Sequence, residues 1–436
     1  MFALMLHPVF GKLFAAQVLA LVGTGLLTVA LGLLAFDLAG AAAGGVLATA
    51  YTIKMVAYVG LSPIAGAIVS NLPRKWVLIV ADAARGVVAL ALPFITDIWQ
   101  IYLAIFLLQT ASAVFTPTFQ ATIPDVLEDD DDYAKALSLS RLAYDLENLL
   151  SPAIAGLLLL VMSYHWLFGG TVIGFLVSSA VIAMTAVPGR GVRKQRPFRE
   201  RLTRGVRIYL ATPRLRGLWS LTLTAAAASA FVIVNTVVVV RNGYSGSESD
   251  VALALAVFGG GSMVAAFALP GLLRRLSDRP VMVGGAVMMT ALMGLLVIFE
   301  PGWIMFLVFW SLIGLAYAAV VTPQGRLLRR SAHHDDQQAV FTAQFALSHI
   351  CWLITYPIAG ATMTAWGMRP ALAVLGLVAI AGLLLAFYFW PKGDPDEVTH
   401  THDDLPDDHP HLHGQGHTHR HALIIDDEHH NWPNRR

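Results

Sequence analysis

Twelve stretches of this chain are each about twenty residues long and almost free of charge, and a helix needs about 20 such residues to cross the hydrocarbon core of a bilayer. They fall at 13–36, 45–69, 76–97, 100–123, 138–162 and 165–187, then, after a break, at 217–240, 250–273, 280–299, 303–325, 337–364 and 369–391. The fifth and eleventh hold the most polar residues. Composition excludes the soluble alternative. The 436 residues are 56% apolar and only 13% charged, where a soluble protein carries about a quarter charged. The expected fold is therefore all-α, a membrane protein of twelve transmembrane helices.

An even number of spans puts both termini on one side, and the basic residues say which. Of the 29 lysines and arginines, 24 lie in the termini or on the terminal side of the spans. The opposite loops hold Arg241 and Arg369, and Lys54, Arg85 and Arg141 sit within spans. Both termini are expected in the cytoplasm. A net charge of +1 gives no field for nucleic acid. The single cysteine, Cys351, excludes an internal disulfide and any CxxC motif. Met1 to Lys12 lacks a basic leader, and no small-residue cleavage site closes the first apolar run, so no cleaved signal is expected.

A repeat divides the chain. Gly66-Ala-Ile-Val-Ser-Asn-Leu-Pro-Arg74 recurs as Gly271-Leu-Leu-Arg-Arg-Leu-Ser-Asp-Arg279, Thr116-Pro117 as Thr322-Pro323, and Asp129-Asp130 as Asp335-Asp336. Pro152-Ala-Ile-Ala-Gly156 matches Pro357-Ile-Ala-Gly360 with one residue missing. An offset of about 205 residues is too long for a solenoid. The economical reading is a six-helix bundle over 1–187, a basic linker over 188–216, a second bundle over 217–391 and a tail over 392–436. Duplicated halves with a site between them at the midplane is transporter architecture.

The span pattern and these motifs resemble the major facilitator superfamily over Gly11–Pro391. The Gly66–Lys75 stretch is similar to that family's loop between the second and third helices, with Ser70-Asn71 in place of the usual Asp-Arg. Arg74 and Lys75 remain, and the second copy closes on Asp278 and Arg279. Ser151-Pro152 with Gly156 is a loose version of the proline-glycine motif of exporters. The resemblance implies gating loops at Gly66, Arg74, Lys75, Gly271, Asp278 and Arg279.

An ionisable group at bilayer depth costs at least about 2.5–3.5 kcal/mol and is a functional candidate by default. Lys54 lies mid-span, with Tyr58 one turn on. Asp82 and Arg85 are three apart and can pair; Arg141, Asp145 and Asn148 share a stripe. Internal ion pairs near a helix end are the plainer reading of Asp82–Arg85 and Arg141–Asp145. Glu147 and Lys54 have no partner in their own helices, so Glu147 is either a carboxylate that loads and releases protons or the counter-ion of Lys54. In the eleventh span Phe345, His349, Trp352 and Tyr356 form one stripe, and Gln344, Ser348, Cys351 and Thr355 another. Only one can line a cavity fully. His349 and Cys351 are both metal ligands by type, but they lie about 200° apart on a helix. The alternative for His349 is a buried ring bonded to a neighbouring hydroxyl. Met282, Met289 and Met293 share a face, which is ordinarily packing.

After Pro391 the composition changes. The last 45 residues carry ten of the fifteen histidines and ten acidic residues against four basic ones. Its His-X-His pattern runs through His400, His402, His409, His411, His413, His417, His419 and His421. Imidazoles in such a run suit Ni, Zn, Co and Cu(II). So little of the tail is apolar that disorder is expected, although Ala422–Ile425 and Trp432 offer a docking segment. His333-His334-Asp335-Asp336 is a further candidate for metal, with a solvated loop as the plainer reading. With Lys54-Met-Val-Ala-Tyr58 and Phe345–Pro357, this tail resembles the bacterial nickel-resistance exporters. That resemblance implies export of Ni²⁺ or Co²⁺ across the inner membrane by proton antiport, with no resident cofactor and no nucleic acid, by a monomer. The rivals are an exporter of an organic molecule and a non-transporting membrane metal sensor or store. No phosphate-binding glycine loop, HExxH or nucleophile motif suggests an enzyme.

Overall fold

A computed structural model describes residues 2–61, 72–127, 154–188, 198–332, 334–390, 397–401 and 418–422, with single positions between 129 and 151 and, in the tail, Lys392, Ile424, Ile425, His429 and Trp432. The molecule is nearly all helix, as spanning backbone must be when lipid offers it no hydrogen-bond partner. Ten stretches among the described residues are long and apolar enough to cross a membrane, and the first, Phe10–Leu61, contains the first two expected spans. These two are the helices Phe10–Ala39 and Ala43–Val56, the second continued by a π-turn over Ala57–Leu61. Gly40, at φ 52°, makes the reversal between them. The third, fourth and sixth spans are Arg74–Ala91, Ile98–Val126 and His165–Ala183. Much of the expected fifth span lies outside the described residues.

In the second half the spans are Pro213–Val238, Glu248–Leu272, Asp278–Ile298, Trp303–Val321, His334–Trp366 and Met368–Phe389. The seventh starts four residues before its expected bound, at the proline that suits a first helical turn. It is buried along nearly its whole length. Other spans present large apolar side chains outward, such as Trp76, Val80 and Val87 on the third and Leu377, Leu384 and Tyr388 on the twelfth. In a bilayer these faces meet lipid. The first span packs on the sixth, the third on the sixth and fourth, the seventh on the twelfth and the eighth on the tenth. Between the halves, the second span packs on the eleventh and seventh.

Two ion-pair braces sit at matching places near the terminal side. Arg74, opening the third span, pairs with Asp125 at the end of the fourth. Asp278, opening the ninth and 2% exposed, accepts from Arg326 Nε at 2.7 Å, with Arg330 at 3.8 Å. The braces join equivalent helices with reversed polarity and sit one residue off the repeat, in which Arg74 aligns with Arg279 rather than with Asp278. Arg279 instead donates to the carbonyl of Trp390 at 2.7 Å. Gly271 is exposed and Gly66 lies outside the described residues.

The linker and the tail carry structure of their own. Within the linker, Phe198–Ala211 is a helix held to the eleventh span by a two-pronged pair from Arg204 to Asp336, at 2.5 and 2.9 Å. The tail is not without structure. Glu397–Thr401 (β1) and Thr418–Ala422 (β2) form an antiparallel ribbon. Beyond it Ile425 is fully buried, and the ring of Trp432 lies 5.3 Å from the Arg214 guanidinium. Composition predicted disorder because it sums over the whole tail, whereas a few apolar and β-prone positions suffice to pair and dock.

Candidate functional site

Between the halves lies a cavity bounded by the first, second, fifth, seventh and eighth spans. Its walls are mostly apolar, with Val29, Leu47, Ile233, Leu255 and Phe258 among them. Thr28 and Thr236 supply hydroxyls, and Glu147 is the one ionisable group among the described lining residues. Thr236 Oγ1 also accepts from the indole of Trp310 at 2.9 Å. Gly25 lets the fifth span approach, since a β-carbon there would overlap the Ser151 side chain. The room is about 90 Å³, enough for a few waters and well short of the roughly 300 Å³ that a drug-sized guest needs.

Lys54 lies on the other side of Thr28, in a small pocket with Thr24, Tyr51 and Gln109. Lys54 and Glu147 act on one another electrostatically, so the two intramembrane charges without partners in their own helices come together across the first half. No direct ion pair joins them among the described residues. The Lys54 ammonium lies 5.8 Å from the centre of the Tyr58 ring, one turn along the same helix.

Tyr58 in turn meets the eleventh span edge-on, its ring 6.0 Å from Phe345 and 5.3 Å from His349. Tyr51 packs at 5.2 Å from Tyr356. Phe345, His349 and Tyr356 of that stripe therefore face the first half, while the Trp352 indole donates to Ser229 Oγ of the seventh span at 3.1 Å. The other stripe turns inward: Gln344 accepts from the Tyr209 hydroxyl, and Cys351 and Thr355 are buried. Cys351 and His349 thus lie on different faces and do not form a ligand pair. His349 is bonded to a carbonyl rather than a hydroxyl, Nδ1 donating to Phe345 O at 2.6 Å. That bond leaves Nε2 with its lone pair.

Other candidates fall elsewhere. Asp82 and Arg85 pair within the third span, where Ser178 donates to Asp82 at 2.5 Å. The guanidinium sits between the rings of Phe115 and Phe175, at 4.4 and 4.5 Å. Met282, Met289 and Met293 are core packing, each at most 1% exposed. Arg141, Asp145 and His333 lie outside the described residues, as do His402, His409, His411, His413 and His417. The ribbon contains His400, His419 and His421.

Away from the termini the halves close on each other. A β-carbon at Gly360 would overlap Ala48 and sit 2.6 Å from the Gly44 carbonyl oxygen. Asn235, fully buried, donates to Ala359 O at 3.1 Å, and its Oδ1 has no hydrogen-bond donor among the described residues. Arg241 lies over Phe36 at 5.2 Å. Sequence reasoning passed over Thr28, Thr236 and Asn235. For Asn235 the signal was present: an amide inside the apolar run Phe231–Val240.

The chain belongs to the Major Facilitator Superfamily, whose model matches residues 13–241 and 218–419. It is 26% identical over 191 residues to macrolide efflux protein A of Streptococcus pyogenes, covering 43% of this chain and 46% of that protein. It is 27% identical over 143 residues to macrolide efflux protein A of Enterococcus faecalis, covering 32% and 44%. These matches span less than half the length of the curated relatives. Among solved structures, the nucleoside transporter NupG superposes with a TM-score of 0.67 at 14% identity, covering 87% of this chain and 98% of that one. A bacterial homologue of the human lysosomal transporter Spinster, in an inward-facing and unoccupied conformation, also gives 0.67 at 14% identity, covering 87% and 95%. The protein is a multi-pass membrane protein of this superfamily.

Proposed function

We propose that this transporter exports an amphipathic organic molecule from the cytoplasm across the bacterial inner membrane in exchange for protons. The carrying observation is the lining of the cavity between the halves, whose described residues are apolar but for two threonines and Glu147. Apolar walls suit an organic guest with few polar groups. A single carboxylate cannot hold a proton and neutralise a cationic guest at once, so the two ligands compete, and exchange follows if the halves rock about the site. The match to the macrolide efflux proteins supports the same class of cargo. The basic residues gathered on the terminal side support cytoplasmic termini. The far-end closure then faces the periplasm, and the cavity loads from the cytoplasm.

Ni²⁺ or Co²⁺, the cargo implied by the nickel-exporter resemblance, finds less to hold it. Such ions take several nitrogen, sulfur or carboxylate ligands, and the described lining of the cavity offers one carboxylate. Among the described residues no three His, Cys, Asp or Glu side chains gather to hold an ion. The test is transport in proteoliposomes with an imposed pH gradient, using erythromycin, a lipophilic amine dye and Ni²⁺ in parallel. Gradient-driven movement of an organic probe, without Ni²⁺ flux, is the expected result. Movement of Ni²⁺ alone would overturn the proposal.

A further inference from the structure

We propose that Asn235, where the second, seventh and eleventh spans meet, is a built-in counterweight to the closure between the halves. Its amide oxygen is stripped of water only while that closure holds, and so keeps it reversible. Ile233, Thr236 and Val237, from the same turns of the seventh span, line the cavity, yet Asn235 itself is fully buried. The two ends of its amide face different halves. Nδ2 donates to Ala359 O at 3.1 Å. That bond joins the seventh and eleventh spans, which belong to one half and keep it when the halves rock. Oδ1 turns to the other half. A β-carbon on Gly44 of the second span would stand 2.6 Å from it, so the Gly44 backbone occupies the side from which a donor would come. Among the described residues Oδ1 has no donor.

A buried polar atom without a partner is uncommon enough to call for a reason. Removing a carbonyl oxygen from water without giving it a donor destabilises the state that buries it. The weak bond that a glycine α-C–H can offer recovers a fraction of that loss. Packing pulls the other way. Gly44, Ala48 and Gly360 bring the second and eleventh spans into backbone contact, a small-residue approach that is favourable in lipid. A carrier must leave such a state as well as enter it. When the halves part, water reaches Oδ1 and the penalty is relieved. The bond to Ala359 is the same on both sides of the movement and drops out of the balance. An apolar side chain at position 235 is therefore expected to hold the closed state more firmly than the native amide does. This inference rests on the rocking that the proposed transport requires, and not on which cargo moves.

The test follows an impermeant thiol reagent on the full-length protein carrying Cys351→Ser and one reporter, Met363→Cys. Met363 is 9% exposed and its side chain lies against Gly44, so a thiol there reacts when the halves part. Asn235→Ala and Asn235→Val are each expected to slow labelling at least about fivefold. Both should leave the thermal midpoint in detergent unchanged or raised. Neither variant orphans the acceptor, because Ala359 O lies within the helix His334–Trp366 and also receives the Thr362 hydroxyl at 3.4 Å. Gly360→Val, which adds bulk to the same closure, is the control and should label faster than wild type. If the control responds while either Asn235 variant labels as fast as wild type or faster, or melts lower, Asn235 is an ordinary fastener between the seventh and eleventh spans and the inference fails. If the control does not respond, the rocking itself is absent and the transport reading falls with it.

Discussion

At the residue scale, the reading rests on Glu147, the one ionisable side chain among the described residues lining the cavity between the halves. An unpaired charge inside a membrane costs several kcal/mol and persists only where a job requires it. Glu147→Gln is expected to cut gradient-driven export at least tenfold while leaving cargo-for-cargo counterflow measurable, because the amide keeps the shape and loses the proton. Equal loss of both activities would show that the carboxylate serves cargo binding alone. Asp82 belongs to a different category. Fully buried, it is held by Arg85 and Ser178, and removing one member of a buried pair leaves the other charge stranded at a cost of roughly 3–5 kcal/mol. Asp82→Ala should therefore lower thermal stability and yield in detergent. Asp82→Ala paired with Arg85→Leu should recover much of the loss.

At the element scale, the second and eleventh spans touch through Gly44, Ala48 and Gly360, with Asn235 of the seventh alongside. Small residues allow such backbone approach, so bulk at Gly360 has nowhere to go while the halves are closed there. Gly360→Val should bias the protein toward the state open at this end. In a Cys351→Ser background, a Thr364→Cys reporter should then react faster with an impermeant thiol reagent from that side, and transport should fall at least tenfold. The braces make a second prediction. Arg74→Asp and Asp125→Arg should each impair transport singly, and the double exchange should restore at least half of it. That outcome is expected because the Asp278–Arg326 brace already runs the other way round.

At the scale of the whole molecule, the architecture was legible in the chain because lipid imposes one rule everywhere, about twenty apolar residues per crossing, and because the two copies report each other. The pairing of Asp82 with Arg85 was legible too, since both lie on one helix at a spacing that helix geometry converts directly into contact. The meeting of Lys54 with Glu147 was legible only as one of two alternatives for Glu147. Those side chains belong to the second and fifth spans, and no periodicity within either says which faces converge. The orientation of His349 toward Tyr58 has the same character: the stripe was visible, but which stripe faced the other half depended on packing around the seventh span. In the tail, average polarity hid a register that depends on a few residue pairs. The reversed braces carry a consequence for engineering. A chimera that replaces the third helix with the ninth would bring Asp278 up to Asp125 alongside Arg279 in the place of Arg74, and the reciprocal exchange would set Arg74 near Arg326. The copies are related by ancestry yet no longer interchangeable piece by piece, so recombination between them is expected to succeed only when whole bundles move together.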